Sequence, residues 1–440
     1  MKAQACSLLL RECARRRADL AGMIGTGSIA VLPAATLKVR NNDVCYPFRQ
    51  NSDFWYLSGF NEPDAVLVIS SERDSDCQVT LFCAPQDPQQ ARWHGDHAGL
   101  DAACAVYGMD AAYPLAELDD IMPQMLHGRD RVYSKLGQDA TFDQRLIGWM
   151  HMPVPEHDKM PDRLVDVSHL LHELRLLKSR YELQLMQSAG DISCRAHARV
   201  MRQIKNLNNE SEIHALLLHE FMRHDCEPAY PAIVGSGNNA CILHYTDNNQ
   251  PLQSDALLLI DSGCEYQGYA ADISRTFPVN GCFSSAQKDL YEVVLTAQAA
   301  AIEQAHTANC WDAVHAAAAR SICAGLCALG IVKESEENAL ETGVYEKYFM
   351  HKTGHWLGLD VHDVGDYRVN GESRQLEPGM VMTVEPGIYI AADDESVDSR
   401  WRGLGIRIED DVVVTKDQPR VLSAALPKTV ADLEAMINAG

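Results

Sequence analysis

Five side chains in the C-terminal half of the sequence could together bind metal ions: Asp261, Asp272, His355, Glu385 and Glu409. Carboxylate oxygens and an imidazole nitrogen are ligands that hard or borderline divalent metals such as Mn²⁺ prefer. The four carboxylates of this set would also balance the four positive charges of two divalent cations. Two metals held side by side can activate a water molecule for hydrolysis. The residue types therefore predict a dinuclear site that activates water.

Asp261 and Asp272 are predicted to lie on one hairpin. Residues 256–260 have the pattern of a buried strand that ends at Asp261, and residues 269–277 have the pattern of the returning strand. A two-residue turn at 266–267 would place Asp261 directly opposite Asp272, with Cβ atoms roughly 4.5–5.5 Å apart. Two carboxylates that close repel each other unless protons or cations compensate them. The alternative is a solvent-exposed hairpin with two independent carboxylates.

Glu385 and Glu409 also belong to predicted strands. Residues 381–385 form an apolar run that a Pro-Gly pair ends, and a carboxylate in such a run is costly unless it is paired or bound to a metal. In the segment 406–409, alternation places Arg407 and Glu409 on one face and the two isoleucines on the other. The alternative there is an Arg–Glu pair on a solvated sheet face.

His351, His355 and His362 lie within twelve residues of one another, close in sequence to these strands. Any one of them alone would more often be a structural residue than a catalyst. The three together, beside the carboxylate strands, favour a functional site. No glutamate follows His351, so the H-E-x-x-H motif of zinc proteases is absent.

Residues 235–240 match the loose G-x-G-x-x-A pattern of dinucleotide-binding loops. That motif must open a helix, whereas residues 241–245 have the pattern of a strand. We therefore expect a turn at 235–240, followed by a strand, and no nucleotide site.

The composition narrows the function classes. A chain of 440 residues is long for one hydrophobic core and suits two domains. The net charge of −23 argues against a nucleic-acid partner, whose recognition needs concentrated Lys and Arg. No apolar run approaches the roughly 20 residues of a membrane span, and the short apolar run near the start precedes its basic residues, unlike a signal peptide. We expect a cytoplasmic protein with reduced cysteines and no membrane partner.

Helix and strand patterns divide the chain in two. The first part alternates helix and strand, with a helix at 3–23 and strands at 28–32, 65–69 and 79–82. Ser179, with Glu182 three residues later, predicts a capping box at the start of a long helix. Helices are then predicted at 180–205, 209–224, 285–306 and 311–329, and strand-rich regions at 232–280 and 350–415. The predicted fold class is α+β, with a smaller N-terminal α/β domain over 1–174 and a larger domain over 175–440.

The motifs around these residues resemble those of the pita-bread metallopeptidases. They are IDSG at 260–263, DISRT at 272–276, HKTGH at 351–355, VEPG at 384–387 and RIED at 407–410. Within that family, the segment YPFRQNSDFWY at 46–56 is similar to bacterial aminopeptidase P, the Xaa-Pro aminopeptidases, and residues 235–245 support the same match. The resemblance implies a C-terminal pita-bread (creatinase/aminopeptidase) domain and a creatinase-type N-terminal domain. It also implies two divalent metal ions, expected to be Mn²⁺, and a homo-oligomer, either a tetramer or a dimer.

The resemblance assigns a role to each metal ligand. Asp272 and Glu409 are expected to bridge the two metals, His355 and Glu385 to bind one of them, and Asp261 to bind the other.

The resemblance also implies a reaction: hydrolysis of the bond before a proline in the second position of a peptide, Xaa-Pro-Yaa. A bridging hydroxide would attack that bond, and Glu385 would carry a proton to the proline nitrogen. His362 or His351 would help to stabilise the oxyanion. His244 is the third histidine that matches the family's non-ligand active-site histidines.

Selectivity for proline must come from shape, because the tertiary amide before proline has no N–H for a site to bind. The residues expected to bind the substrate are Tyr230, Val361, Tyr389, Arg407, Asp53 and Trp93, together with His244 and His362. Asp53 or Asp261 would hold the free amino group, with Arg407 positioning Asp53. Trp93 of a neighbouring subunit would close the pocket.

Two other functions stay open at this point. A prolidase uses the same metals to split Xaa-Pro dipeptides, although the motif at 46–56 favours longer peptides. A non-catalytic binding protein could keep the pita-bread fold, although such relatives generally lose metal ligands and all five are present here.

Overall fold

Two units build the structure, a computed structural model that describes residues 2–71, 77–153 and 159–439: Met1–Arg175 and Leu176–Gly440. Both units combine helices with sheets, which confirms the predicted α+β class. In the described part of the chain, no helix is long and apolar enough to cross a membrane.

The N-terminal unit is organised by a mixed sheet. Its described strands are β1 (Ser28–Pro33), β2 (Val39–Asn41), β3 (Val44–Cys45), β4 (Val66–Ser71), β5 (Cys77–Cys83), β6 (Ala111–Pro114), β7 (Arg131–Ser134) and β8 (Arg163–Asp166). Its described helices are α1 (Lys2–Ile24), α2 (Ser52–Ser58), α3 (Pro88–His94), α4 (Gly99–Ala105), α5 (Leu118–Leu126), α6 (Ala140–Met150) and α7 (Ser168–Leu176). The sheet order is β6-β5-β4-β1-β7-β8, and β2 and β3 form a separate hairpin. The predicted helix at 3–23 and the three predicted strands are confirmed as α1, β1, β4 and β5.

One apolar face of this sheet packs against helices of the N-terminal unit. Ile29 and Val31 of β1 and Val132 of β7 are buried, and they form one core with Leu146 and Trp149 of α6. Alternation along each strand brings such side chains to the same face, where covering helices remove them from water.

The C-terminal unit contains longer helices and short antiparallel ladders. Its described helices are α8 (Arg180–Gln203), α9 (Glu210–Met222), α10 (Ser285–Ile302), α11 (Trp311–Ala328), α12 (Glu336–Thr342) and α13 (Val430–Asn438). Its described strands are β9 (Glu227–Pro228), β10 (Ile233–Ser236), β11 (Leu257–Asp261), β12 (Cys264–Tyr266), β13 (Tyr269–Ala270), β14 (Ser274–Pro278), β15 (Arg368–Val369), β16 (Glu372–Ser373), β17 (Val381–Val384), β18 (Gly387–Ile390), β19 (Leu404–Arg407), β20 (Asp410–Val413) and β21 (Arg420–Val421). The ladders are β10-β11-β14, β13-β12-β9, β17-β20-β21, β18-β19 and β15-β16.

The predicted capping box at the start of α8 is confirmed. The Ser179 hydroxyl accepts a hydrogen bond from the Glu182 N–H, and Glu182 Oε2 accepts one from the Ser179 N–H at 2.8 Å. Both bonds satisfy backbone donors that the first turn of a helix leaves without partners.

The hairpin that carries Asp261 and Asp272 differs in register from the prediction. Gln267 and Gly268 form its turn with positive φ angles of 51° and 86°, so the turn lies one residue later than expected. Asp261 consequently pairs with Ser274 and not with Asp272. Two-residue hairpin turns with positive φ at both positions favour glycine, and Gly268 is the residue that fixes this register.

The prediction of a strand at 241–245 is wrong. A 3₁₀ helix, Gly237–Cys241, leads into turns that continue through His244. Within this turn the Ile242 N–H bonds the Asn239 carbonyl. Further along, the Asn248 side chain connects the loop to the segment at the start of β10: it accepts from the Val234 N–H at 2.9 Å and donates to the Ala232 carbonyl at 2.8 Å.

Candidate metal centre

The five predicted metal ligands lie at strand ends or in adjoining loops of the C-terminal unit. Asp261 ends β11, Asp272 lies between β13 and β14, Glu385 follows β17, and Glu409 links β19 to β20. His355 lies in the loop before β15. Side chains can converge at such places, because the backbone there leaves the regular ladder.

Three of these side chains lie especially close together. One donor atom from each of Asp272, His355 and Glu409 lies within 4.8 Å of the other two. Nε2 of His355 is also 3.3 Å from Asp272 Oδ2 and 3.8 Å from Glu385 Oε1. Carboxylate and imidazole atoms at this spacing can act as ligands of one small cation.

Tyr230 joins the two hairpin aspartates. Its hydroxyl oxygen is 2.6 Å from Asp261 Oδ1 and 2.5 Å from Asp272 Oδ1. A hydroxyl carries one proton and can donate it to only one of these oxygens, so the other needs a proton or a cation. The two carboxylates therefore share a face, as the sequence predicted, although they are not direct cross-strand neighbours.

Arg407 is a buried cation beside the cluster. Its guanidinium donates to Asp261 Oδ2 at 2.7 Å, to Tyr389 Oη at 2.9 Å and to Ser274 Oγ at 2.9 Å. Arg407 is 4% exposed and Glu409 is 1% exposed. The alternation predicted for 406–409 is confirmed, and the alternative of a solvated sheet face is wrong.

The cluster concentrates negative charge where water is scarce. Burial raises the pKa of Asp261 to about 6 and that of Glu385 to about 7. Burial, and then the Asp272 charge, raise the pKa of Glu409 well above its ordinary value. Added positive charge nearby would lower these pKa values and favour the ionised carboxylates. The donor set and its charge therefore fit divalent metal ions.

Asp272 and His355 form a pair in which the fold favours the charged form of both side chains. Burial opposes both charges, but the hydrogen bond between the two side chains lowers the pKa of Asp272 and raises the pKa of His355 to about 9. Nδ1 of His355 donates to the Trp356 carbonyl at 2.9 Å. Nε2 therefore points to the carboxylates and is the nitrogen that could bind a metal.

Buried groups behind the cluster hold its backbone. The Asp272 N–H contacts both carboxylate oxygens of Asp411 at 3.3 and 3.2 Å. Arg275 is fully buried, pairs with Asp410 at 2.7 Å and donates to the Glu409 carbonyl at 2.6 Å. The role of Asp411 was not predicted from the sequence, although this residue directly follows the RIED motif.

Two glycines permit the close approach of these segments. A Cβ atom at Gly263 would lie 1.7 Å from the Ala271 carbonyl oxygen, and one at Gly354 would lie 2.0 Å from the Thr383 carbonyl oxygen. No side chain fits at either position, which explains why the IDSG and HKTGH motifs contain glycine.

His351 belongs to a hydrogen-bonded chain with Arg407. Nδ1 of His351 lies 2.7 Å from the Lys352 carbonyl, which can only accept, so Nδ1 carries the proton. Nε2, 3.0 Å from Tyr389 Oη, therefore accepts from that hydroxyl. Burial lowers the pKa of His351 to about 4, which keeps the ring neutral near pH 7.

His362 lies next to the metal ligand His355 in the cavity lining. Its ring stands edge-on to that of His355, with centroids 4.3 Å apart. Burial, and then the charge of His355, lower the pKa of His362. A neutral ring offers an N–H donor without adding positive charge beside the metals.

One cavity of about 450 Å³ contains most of the predicted site residues. Its predicted members are Asp261, Asp272, His355, Glu385, Glu409, His244, His351, His362, Tyr230, Val361 and Arg407. Lining residues that the prediction did not include are Pro231, Ile233, Leu243, Thr246, Lys352 and Gly354. Most of these flank a predicted residue in sequence, and that adjacency was the available signal. Tyr389 lies behind this lining, bonded to His351 and Arg407.

Asp53 and Trp93 belong to the N-terminal unit. Asp53 is fully buried on α2, and its carboxylate accepts from Arg175 at 2.7 Å and from Lys135. Burial opposes the charge, but these two cations lower the pKa of Asp53. The positioning of Asp53 by Arg407 stays a prediction. Trp93 on α3 is 83% exposed, and its role in substrate binding stays a prediction.

Comparisons with known proteins match both units. Residues 184–416 match the model of metallopeptidase family M24, and residues 13–133 match that of the aminopeptidase P N-terminal domain. The chain is 41% identical to the Xaa-Pro aminopeptidase of Escherichia coli over 98% of each sequence.

Solved structures agree with the sequence comparison. The aminopeptidase PepP of Pseudomonas aeruginosa is 46% identical and superposes with a TM-score of 0.95 over 98% of each chain. Aminopeptidase P of E. coli with the inhibitor Pro-Leu is 41% identical, again with a TM-score of 0.95 and 98% coverage of each chain. The chain therefore belongs to metallopeptidase family M24, among its Xaa-Pro aminopeptidases.

Proposed function

We propose that this Xaa-Pro aminopeptidase uses two divalent metal ions, Mn²⁺ in the first instance, and the residues of the 450 Å³ cavity to cleave Xaa-Pro-Yaa peptides. The observation that carries the proposal is the convergence of all five candidate ligands, with Tyr230 and three histidines, on this one cavity. Asp272 and Glu409 would bridge the metals, His355 and Glu385 would bind one, and Asp261 the other. When bound, the two cations would supply Lewis-acid activation of a water molecule.

Glu385 is the proposed proton carrier. It lines the cavity beside His355, and in its ionised form its carboxylate can accept a proton. It would take a proton from the attacking water at an Oε atom and deliver it to the proline nitrogen as the peptide bond breaks. A positioned group of this kind contributes roughly 10²- to 10⁴-fold to a rate.

His362 is the better candidate for stabilising the oxyanion. From the sequence alone, His351 and His362 were alternatives for this role. Both ring nitrogens of His351 already have partners, the Lys352 carbonyl and the Tyr389 hydroxyl. His362 lines the cavity with its ring next to His355 and can offer an N–H to the substrate.

The proline ring would bind against a surface of defined shape. Tyr230, His244, Val361 and His362 all line the cavity, and the apolar side chains of Ile233 and Leu243 extend that lining. A tertiary amide offers no N–H to recognise, so contacts with the ring itself must select proline.

Asp261 is the better supported partner of the substrate's amino group. It faces the cavity, whereas Asp53 is fully buried and already paired with two cations. A carboxylate that is neutralised by both Arg175 and Lys135 has little charge left to attract an ammonium group. We therefore assign Asp53 a structural role in holding α2, and Asp261 the recognition role.

Parallel assays of Xaa-Pro-Yaa, Xaa-Pro and Xaa-Ala-Yaa peptides with the Mn²⁺-loaded protein test this function. We expect rapid cleavage of Xaa-Pro-Yaa, slower cleavage of the dipeptide and none of the alanine control. Rapid cleavage of the dipeptide alone would make the protein a prolidase. No cleavage of any peptide, without bound metal, would support a binding protein. The predicted homo-oligomer, for which the exposed Trp93 is the proposed contact, can be tested by light scattering.

A further inference from the structure

Glu210 is a fully buried carboxylate that binds a single loop. Its Oε1 atom accepts hydrogen bonds from the Ser236 N–H at 2.9 Å and from Asn239 Nδ2 at 3.0 Å. Its Oε2 atom accepts from Tyr245 Oη at 2.8 Å and from the Gln250 N–H at 2.9 Å. These four donors belong to residues 236–250.

No cation pairs with Glu210 in the described part of the chain, so other groups must stabilise its charge. Glu210 is the first residue of α9, where the positive end of the helix dipole favours an anion. Each of its four hydrogen bonds has a charged acceptor, which makes them stronger than neutral ones. A buried carboxylate is tolerated only with such complete satisfaction. Removing its charge or shape would leave several loop donors without a partner.

The loop that Glu210 holds carries part of the active site. Leu243, His244 and Thr246 line the cavity with the metal ligands. Within the described residues the His244 side chain has no hydrogen bond of its own, so its position depends on the loop backbone that carries it. The next residue, Tyr245, is 8% exposed and is anchored to Glu210 through its hydroxyl.

We propose that Glu210 is a positioning residue of the reaction: by binding loop 236–250 at four points, it fixes His244 against the proline of the substrate. This inference rests on the proposed function, and it assigns Glu210 no contact with the substrate. Ser236 is the last residue of β10 and is paired in its ladder, whereas 237–250 lies outside the named strands. Glu210 and Asn248 connect that part of the loop to α9 and to the start of β10.

The variant Glu210→Gln tests the proposal with little change in shape. The amide nitrogen of the glutamine would replace one of the two carboxylate oxygens. It would then face a backbone N–H, that of Gln250 or that of Ser236, and could not accept a hydrogen bond from it. We expect kcat/KM for Xaa-Pro-Yaa to fall about tenfold or more. Hydrogen exchange should rise within 236–250 and stay unchanged in α10, and the bound metal content should stay that of the wild type.

A double-mutant cycle with His244→Ala separates positioning from general destabilisation. If Glu210 acts through His244, the double variant will be no slower than His244→Ala alone. Additive losses, or a fully active Glu210→Gln, would overturn the inference. A wild-type protein that cleaves no Xaa-Pro-Yaa peptide would instead overturn the proposed function.

A milder pair of variants keeps the test valid if Glu210→Gln does not fold. Tyr245→Phe removes one of the four hydrogen bonds and should lower kcat/KM roughly three- to tenfold. Tyr291→Phe is the matched control, because it deletes another hydroxyl of a buried tyrosine, bonded to the Lys428 carbonyl at 2.8 Å. Equal activity of these two variants would contradict the role of Glu210.

Discussion

Arg407 donates a buried 2.7 Å hydrogen bond to Asp261, so a permanent cation sits against one of the candidate metal ligands. The same guanidinium donates to Tyr389, whose hydroxyl in turn donates to His351. Arg407 thus orients a metal ligand and an active-site histidine at once, and its planar fork is what allows it to reach both.

Arg407→Lys should lower kcat/KM by roughly 10- to 100-fold. The three bonds of Arg407 come from three different nitrogens, and the single nitrogen of an ammonium group cannot reach all three acceptors. Charge-assisted bonds are worth about 1.5–3 kcal/mol each. Steady-state kinetics with the metal content measured in parallel would check this. Arg402→Lys is the matched control, since among the described residues Arg402 bonds only the Val397 carbonyl, outside the cavity. Equal activity of both variants would contradict the role given to Arg407.

Glu385→Gln should slow turnover by roughly 10²- to 10⁴-fold, because the amide cannot accept and deliver a proton. Single-turnover measurements with saturating Mn²⁺ would separate this effect from weaker metal binding. Glu377→Gln, at a half-exposed position outside the cavity, serves as the control. A nearly normal rate for Glu385→Gln would remove Glu385 from the proton path.

Metal binding should release protons and become stronger as the pH rises. In the metal-free protein the pKa of Asp261 is about 6, that of Glu385 about 7 and that of His355 about 9. Metal ligands must be deprotonated, so protons on these groups compete with the metal below those pKa values. Titration calorimetry of Mn²⁺ in buffers of different ionisation enthalpy should show the release of at least about one proton at pH 7. An affinity that is equal at pH 6 and pH 8 would contradict this.

Arg275→Met should destabilise the C-terminal unit by about 3–5 kcal/mol, because it leaves Asp410 buried without its guanidinium partner. Lys428 still contacts Asp410 and would limit the loss. Urea unfolding measures the change. Arg15→Met removes an exposed pair with Asp19 and should cost less than about 1 kcal/mol. Similar losses of unfolding free energy in both variants would show that the buried pair stabilises the protein no more than the exposed one.

His197 should make the protein less stable in acid. Burial lowers its pKa from 6.5 to about 4, so below pH 6.5 the unfolded chain binds a proton that the folded protein does not. The free energy of unfolding is therefore fully retained above pH 6.5 and falls as the pH drops towards 4, by about 2 kcal/mol at pH 5. His197→Gln, which can still donate to the Ser262 carbonyl, should lack this part of the pH dependence in urea unfolding.

The metal ligands could be predicted from the sequence because each lies in a short motif whose local pattern indicates a buried or metal-binding side chain. Glu385 stands at the end of an apolar strand, and alternation places Arg407 and Glu409 on one face. The hairpin shows where such reasoning ends. A turn placed one residue early moves every pair, and the prediction did not weigh the positive φ that Gly268 can adopt.

Partners that are distant in sequence could not be found in this way. Tyr230 was predicted as a substrate contact, yet its hydroxyl also joins Asp261 to Asp272 across 31 and 42 residues of chain. Glu210 and Asp411 look like ordinary acidic residues until the fold buries them. The strand pattern at 241–245 was overridden by a turn, in which the Ile242 N–H bonds the Asn239 carbonyl. Glu210 binds backbone N–H groups on either side of this segment, at Ser236 and Gln250.

Because Trp93 is exposed, intrinsic tryptophan fluorescence can report on the surroundings of this side chain. Of the six tryptophans, Trp149, Trp356 and Trp401 are buried, and Trp93 is 83% exposed. An aqueous quencher such as acrylamide would therefore act first on the emission of Trp93. If a neighbouring subunit covers this indole, dilution will shift the emission to the red and increase quenching, so the assembly state can be followed without a label.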